Sequence, residues 1–67
     1  MTIGQRIKAE RKRNGLTQKE LAEICGLHVN TIQQYELNKR QPRIEMLKEI
    51  AKWLGCTVND LVYDEEE

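Results

Sequence analysis

Thr17-Gln18-Lys19-Glu20-Leu21-Ala22-Glu23-Ile24-Cys25-Gly26-Leu27-His28-Val29-Asn30-Thr31-Ile32-Gln33-Gln34-Tyr35-Glu36 contains two helix starts separated by one glycine. Thr17 is a capping residue, and Glu20 lies three positions on, where its side chain can reach back to the Thr17 amide. Leu16 before the cap and Leu21 after it form a hydrophobic staple. The spacing predicts a helix over 18–25, with Leu21, Ala22 and Ile24 turned inward and Gly26 stopping it. Leu27 and Ile32 repeat the staple around His28. That second cap is weaker, because imidazole is a poorer cap than a hydroxyl. The helix that follows, 29–36, places Ile32 and Tyr35 inward. Two short helices broken at a glycine, with the small Ala22 available where they cross, make a helix-turn-helix unit.

Upstream, Thr2 and Gln5 form another capping box for a helix from Ile3 to about Asn14, closed by Gly15. Ile3 and Ile7 form its apolar stripe, and Arg11 occupies the next position on it. Downstream, Leu37-Asn38-Lys39-Arg40-Gln41-Pro42 is a polar connection. The next helix spans 44–54 with Ile44, Leu47, Ile50, Ala51 and Leu54 on one face, and Gly55 stops it. Its cap, Arg43, is weak. Thr57-x-x-Asp60, with a Cys56/Leu61 staple, opens a last piece from Val58 to about Tyr63. No alternating pattern supports a strand. The expected fold class is therefore all-α, five short helices around Ile7, Leu16, Leu21, Ala22, Ile24, Ile32, Tyr35, Leu47, Ile50, Ala51, Leu54 and Leu61. Helices this short do not hold alone in water, so they must form together.

The 67 residues allow one small domain, expected over 1–63, with an acidic tail over 64–67. No apolar run approaches the ~20 residues of a membrane span, and the start lacks signal-peptide character. A cytoplasmic, nucleoid-associated location is expected. Cys25 and Cys56 read as buried apolar thiols rather than a disulfide or, with His28, a metal site. No metal and no cofactor is expected. One histidine, no phosphate-cradling glycine loop and no triad give catalysis little support.

Charge is balanced in total and divided along the chain. Residues 1–43 carry nine Lys/Arg against four Asp/Glu, whereas residues 44–67 carry Lys48 and Lys52 against seven. Such a chain can turn a positive face to a polyanion, although segregated charge is also compatible with a plain solvated surface.

The outer face of 29–36 is polar but uncharged. Asn and Gln are the side chains able to pair with adenine N6 and N7 in the major groove, and Val29 suits a thymine methyl. Amides are also common on solvated helices. Here Asn30, Gln33 and Gln34 occur together after a glycine turn, beside a basic loop, which favours base reading. Gln18, in a first helical turn, suits either a phosphate or a base edge. Lys39, Arg40 and Arg43 are natural phosphate clamps, and Lys19 and Arg13 are weaker ones. Arg11, on an inward stripe, needs a partner, and Glu36, ending the inward run, is a candidate.

Gly4-Gln5-Arg6-Ile7, Arg11, Gly15-Leu16-Thr17-Gln18, Leu21-Ala22, Gly26, Ile32, Tyr35-Glu36, Pro42, Ala51-x-x-Leu54-Gly55 and Leu61 together resemble the Cro/C1-type (XRE-like) helix-turn-helix family, which includes the lambdoid phage repressors. The resemblance covers about residues 3–62. It implies a five-helix lambda-repressor-like domain that binds double-stranded operator DNA, often as a symmetric homodimer on palindromic half-sites. It implies base reading at Gln18, Val29, Asn30 and Gln34, and a structural salt bridge between Arg11 and Glu36. Phosphate contacts are expected at Thr17, His28, Gln33, Lys39, Arg40 and Arg43.

Three positions depart from the family pattern. Leu37-Asn38-Lys39 lacks the usual glycine, and Asn38 is the residue able to go left-handed in its place. His28 and Arg43 stand where Ser or Thr caps are usual, and a His28 ring on a phosphate would make binding mildly pH-dependent. Trp53, off the main stripe, is a candidate dimer contact with Val58, Val62 and Tyr63, the alternative being packing within the monomer. No small-molecule effector is expected. Two functional classes follow: a sequence-specific transcriptional regulator, most naturally a repressor, or an antitoxin or protein-interaction module of the same fold that binds a partner protein, with or without autoregulation of its operon.

Overall fold

The computed structural model describes residues 1–62; Tyr63 and the acidic 64–67 segment lie outside the described residues. The elements are α1 (Ile3–Arg13), α2 (Gln18–Cys25), α3 (Val29–Glu36), α4 (Ile44–Leu54) and α5 (Val58–Val62). These bounds follow the local signals closely. At α1 and α2 both halves of the capping box form, Thr2 with Gln5 and Thr17 with Glu20. Thr57 and Asp60 exchange the same pair of bonds at the start of α5. His28 and Arg43 occupy the cap positions of α3 and α4 without a side-chain cap bond.

Four helices end in one way. Gly15, Gly26 and Gly55 take φ near +70°, and Asn38 takes φ +60°. Behind each, an amide donates back five residues, from Leu16 to Arg11, Leu27 to Ala22, Lys39 to Gln34 and Cys56 to Ala51. This is the closing bond of a Schellman ending. Asn38 therefore fills the glycine role anticipated for it.

The core comprises Ile7, Leu21, Ala22, Ile32, Tyr35, Leu47, Ile50, Ala51, Leu54 and Leu61, with Leu16 half-buried against it. Two residues expected on inward stripes are corrected. Ile24 is 41% exposed. Leu21 and Cys25, one helical turn apart, take the inward positions of α2, which leaves Ile24 on its flank. Ile44 is 52% exposed, since it opens α4 beside the polar connection, where the half-buried Met46 packs on the core. Cys25 and Cys56 are free and half-buried rather than fully buried. Burial pushes the Cys25 thiol up to about 11, with nearby Glu49 adding to the effect. Among the described residues no helix is long and apolar enough to cross a membrane.

The α1–α3 seam is polar. Arg11 and Glu36 meet there with side chains 9% and 3% exposed. Arg11 donates from Nε to Glu36 Oε2 at 2.7 Å and from Nη2 to Oε1 at 3.1 Å. Its Nη1 donates to the Leu16 carbonyl at 2.8 Å, joining the α1–α2 turn to the pair. At the other end of the seam, Gly4 lies so close to the Tyr35 carbonyl that a Cβ there would collide with it. The Gly4 amide donates to Asn38 Oδ1 at 3.2 Å. Asn38 thus ends α3 with its backbone and caps α1 with its side chain.

Candidate nucleic-acid interface

Helix α3 has two faces. Ile32, Tyr35 and Glu36 are buried, whereas Val29, Asn30, Gln33 and Gln34 are exposed. Asn30 and Gln34 are one turn apart, as are Val29 and Gln33, so the four form a compact outward patch. Nothing on this face carries a charge before Glu36, whose carboxylate is turned inward. An amide row of this kind offers both donors and acceptors to a base edge without attracting or repelling it at long range.

The surroundings supply the charge. The chain leaving α3 carries Lys39 and Arg40, both exposed, and Arg43 stands exposed at the start of α4. The Asn38 bond to Gly4 and the Lys39 amide bond to the Gln34 carbonyl at 2.9 Å hold the root of this loop. Across the turn, Thr17 is exposed at the start of α2. Its hydroxyl oxygen accepts the Glu20 amide at 3.0 Å, which leaves its O–H available as a donor. His28 is exposed at the start of α3.

Gln18 is half-buried, and its Nε2 donates to Glu36 Oε1 at 2.9 Å. This bond had no signal in the local sequence, because it joins residues eighteen apart through the fold. It ties the Gln18 amide to Glu36 at the end of α3. The expected salt bridge between Arg11 and Glu36 is present. Val29, Asn30, Gln33 and Gln34 share the outward face of α3, Gln18 is tied to its end through Glu36, and Thr17, His28, Lys39, Arg40 and Arg43 are the other exposed candidates.

The residues expected at a dimer contact divide. Trp53 is 45% exposed and Val62 is also exposed, but Val58 is half-buried against the core. Tyr63 lies outside the described residues. Trp53 Nε1 donates to Glu49 Oε2 at 2.8 Å, and Lys52 Nζ lies 5.0 Å from the ring centroid. Trp53 is therefore held on the surface of α4 rather than packed into the monomer.

Two short helices broken at Gly26, the second presenting an amide face from a five-helix scaffold, define a helix-turn-helix domain of the lambda-repressor-like fold. A helix-turn-helix family model matches residues 7–61, and the chain belongs to that family, of the Cro/C1 (XRE) type. It is similar to the immunity repressor protein of Bacillus phage phi105, at 40% identity over 97% of this chain and 45% of the relative. Its fold is similar to that of the P22 c2 repressor in complex with a synthetic operator, at TM-score 0.87 and 31% identity over 92% of this chain and 94% of that one. It is likewise similar to SinR, described as the master regulator for biofilm formation, in complex with DNA, at TM-score 0.84 and 36% identity over 90% and 97% of the two chains. The chain spans about half the length of the first curated relatives it matches.

Proposed function

We propose that this chain is a sequence-specific transcriptional repressor that inserts α3 into the major groove of double-stranded DNA. The observation that carries this reading is the exposed Val29/Asn30/Gln33/Gln34 face on a helix whose other face is locked by Ile32, Tyr35 and Glu36. In this role Gln18, Val29, Asn30 and Gln34 read base edges. Thr17, His28, Gln33, Lys39, Arg40 and Arg43 hold phosphates and set the register of the helix. Relatives described as repressors or as a master regulator, two of them seen with DNA, support the same reading.

One short helix spans few base pairs, so two copies on a palindromic operator are part of the proposal. Trp53 and Val62 are the exposed apolar residues offered to a second copy. The protein acts where its DNA is, in the cytoplasm, and carries out no catalysis. Selecting duplexes from a random pool tests the proposal directly: a recurrent site with two-fold symmetry is expected. Affinity for that site should fall steeply with salt, since each neutralised phosphate contributes about −0.9 to the slope of log affinity against log salt. Equal retention of random and selected duplexes overturns the reading.

A further inference from the structure

We propose that Glu36 is a positioning residue that orients the Gln18 amide, so that Gln18 reads an exocyclic amino group of a base through its carbonyl oxygen. This deepens the proposed function and rests on it. The structural basis is independent of DNA. A carboxylate paired with Arg11 only accepts hydrogen bonds, so it must meet the NH2 end of the Gln18 amide, at 2.9 Å. The planar amide then turns Oε1 away from Glu36. Among the described residues no donor is bonded to that oxygen.

The orientation is braced from behind. Arg11 holds both carboxylate oxygens and, through Nη1, the Leu16 carbonyl, so Glu36 cannot swing without opening the seam. An outward carbonyl selects its partner by chemistry. Phosphate oxygens are acceptors and would face it with like partial charge. Adenine N6 and cytosine N4 are the amino donors displayed in the major groove. Gln18 therefore adds an acceptor beside Glu36, at the end of the helix that carries the Asn30, Gln33 and Gln34 amides.

The test uses the full chain in two arms. In the free protein, the Gln18 side-chain NH2 protons should exchange at least about tenfold more slowly than those of exposed Gln33 and Gln34, because one is held by a buried carboxylate. In the complex, the base pair read by Gln18 is the one whose preference disappears in Gln18→Ala. Removing the exocyclic amino group there, with purine in place of adenine or 2-pyrimidinone in place of cytosine, should weaken binding by the wild-type protein roughly threefold to tenfold. If the base is adenine, replacing it with 7-deazaadenine should leave affinity within about twofold, a single hydrogen bond to N6 being the only one at stake. Glu36→Gln, in samples shown by melting to be folded, should broaden preference at that base pair alone.

Uniform weakening by Gln18→Ala on every duplex, or indifference to the missing amino group, overturns the reading role. Exchange of the Gln18 NH2 as fast as that of Gln33, beside a clear operator preference, overturns the positioning role alone. If no duplex is preferred at all, the proposed function fails and the reading role with it, while slow exchange would still mark the amide as held.

Discussion

The α1–α3 seam and the apolar stripe of α4 are both buried, but they are held by different forces. The stripe of Leu47, Ile50, Ala51 and Leu54 excludes water and is otherwise undemanding. The seam consists of a two-point ion pair, a carbonyl caught by Arg11 Nη1, a glycine against a carbonyl and an asparagine bonded to an amide. Burial tolerates sliding, whereas these directional bonds admit one register. The helix that carries the amide face is thus also the helix fixed by directional bonds, which suits the base-reading role proposed for it.

Breaking one half of the ion pair should produce the largest effect. Glu36→Ala or Arg11→Ala is expected to cost about 3–5 kcal/mol in urea unfolding, because each strands a buried charge. The double replacement Arg11→Met with Glu36→Leu should cost clearly less than the two single losses combined. In the stripe, Ile50→Ala is expected to cost about 2–5 kcal/mol, set by the cavity it leaves, with no second change of this kind able to restore it. A double seam variant as unstable as the sum of its parts would mean that seam and stripe are held alike.

Next in size is Gly4→Ala, expected to lower stability by about 1–3 kcal/mol, since α1 must back away from the Tyr35 carbonyl. Gly26→Ala meets no neighbour and should cost only about 1 kcal/mol of left-handed strain. Thermal melts of the two variants separate crowding from backbone strain. A Gly4→Ala protein as stable as the wild type would mean that the seam is looser than described.

Under the proposed function, Asn30→Ala and Gln34→Ala each remove about 1–3 kcal/mol of discrimination between the selected duplex and one changed at the contacted base pair. Their stability should stay within about 0.5 kcal/mol of wild type, as for exposed positions generally. Retained discrimination in both variants would move base reading elsewhere on the protein.

At neutral pH the smallest effect is expected at Cys25. Its thiol is held up at about 11 in the folded chain against an ordinary 9.0. The unfolded chain therefore releases that proton first, and stability is intact below pH 9, then declines as pH rises towards 11. Cys25→Ala should flatten this alkaline limb in melts taken across that range. At pH 8 the folded thiol should alkylate roughly a hundredfold more slowly than the unfolded one, given its smaller thiolate fraction.

Much of the fold is legible in the chain because its helix ends are written locally. Thr2 with Gln5, Thr17 with Glu20 and Thr57 with Asp60 specify starts within four residues, and Gly15, Gly26 and Gly55 specify stops. Ile24 and Ile44 misled because helical spacing tolerates either flank of a stripe, and only packing between helices decides which flank is covered. The amide face of α3 is legible for the same local reason, since Ile32 and Tyr35 orient the helix and leave Asn30 and Gln34 outside. What could not be read is long-range and directional. The Gly4 approach to Tyr35, the second role of Asn38 and the Gln18–Glu36 bond join residues that are neighbours only once the chain has folded.

The first turn of an α-helix is where backbone amides lack intrahelical partners and exchange most readily. In α1 that turn is fastened to the residue that closes α3, because the Gly4 amide hydrogen sits on Asn38 Oδ1. Its exchange with solvent deuterium is thus a gauge, placed near the start of the chain, of how firmly the root of the basic loop is anchored.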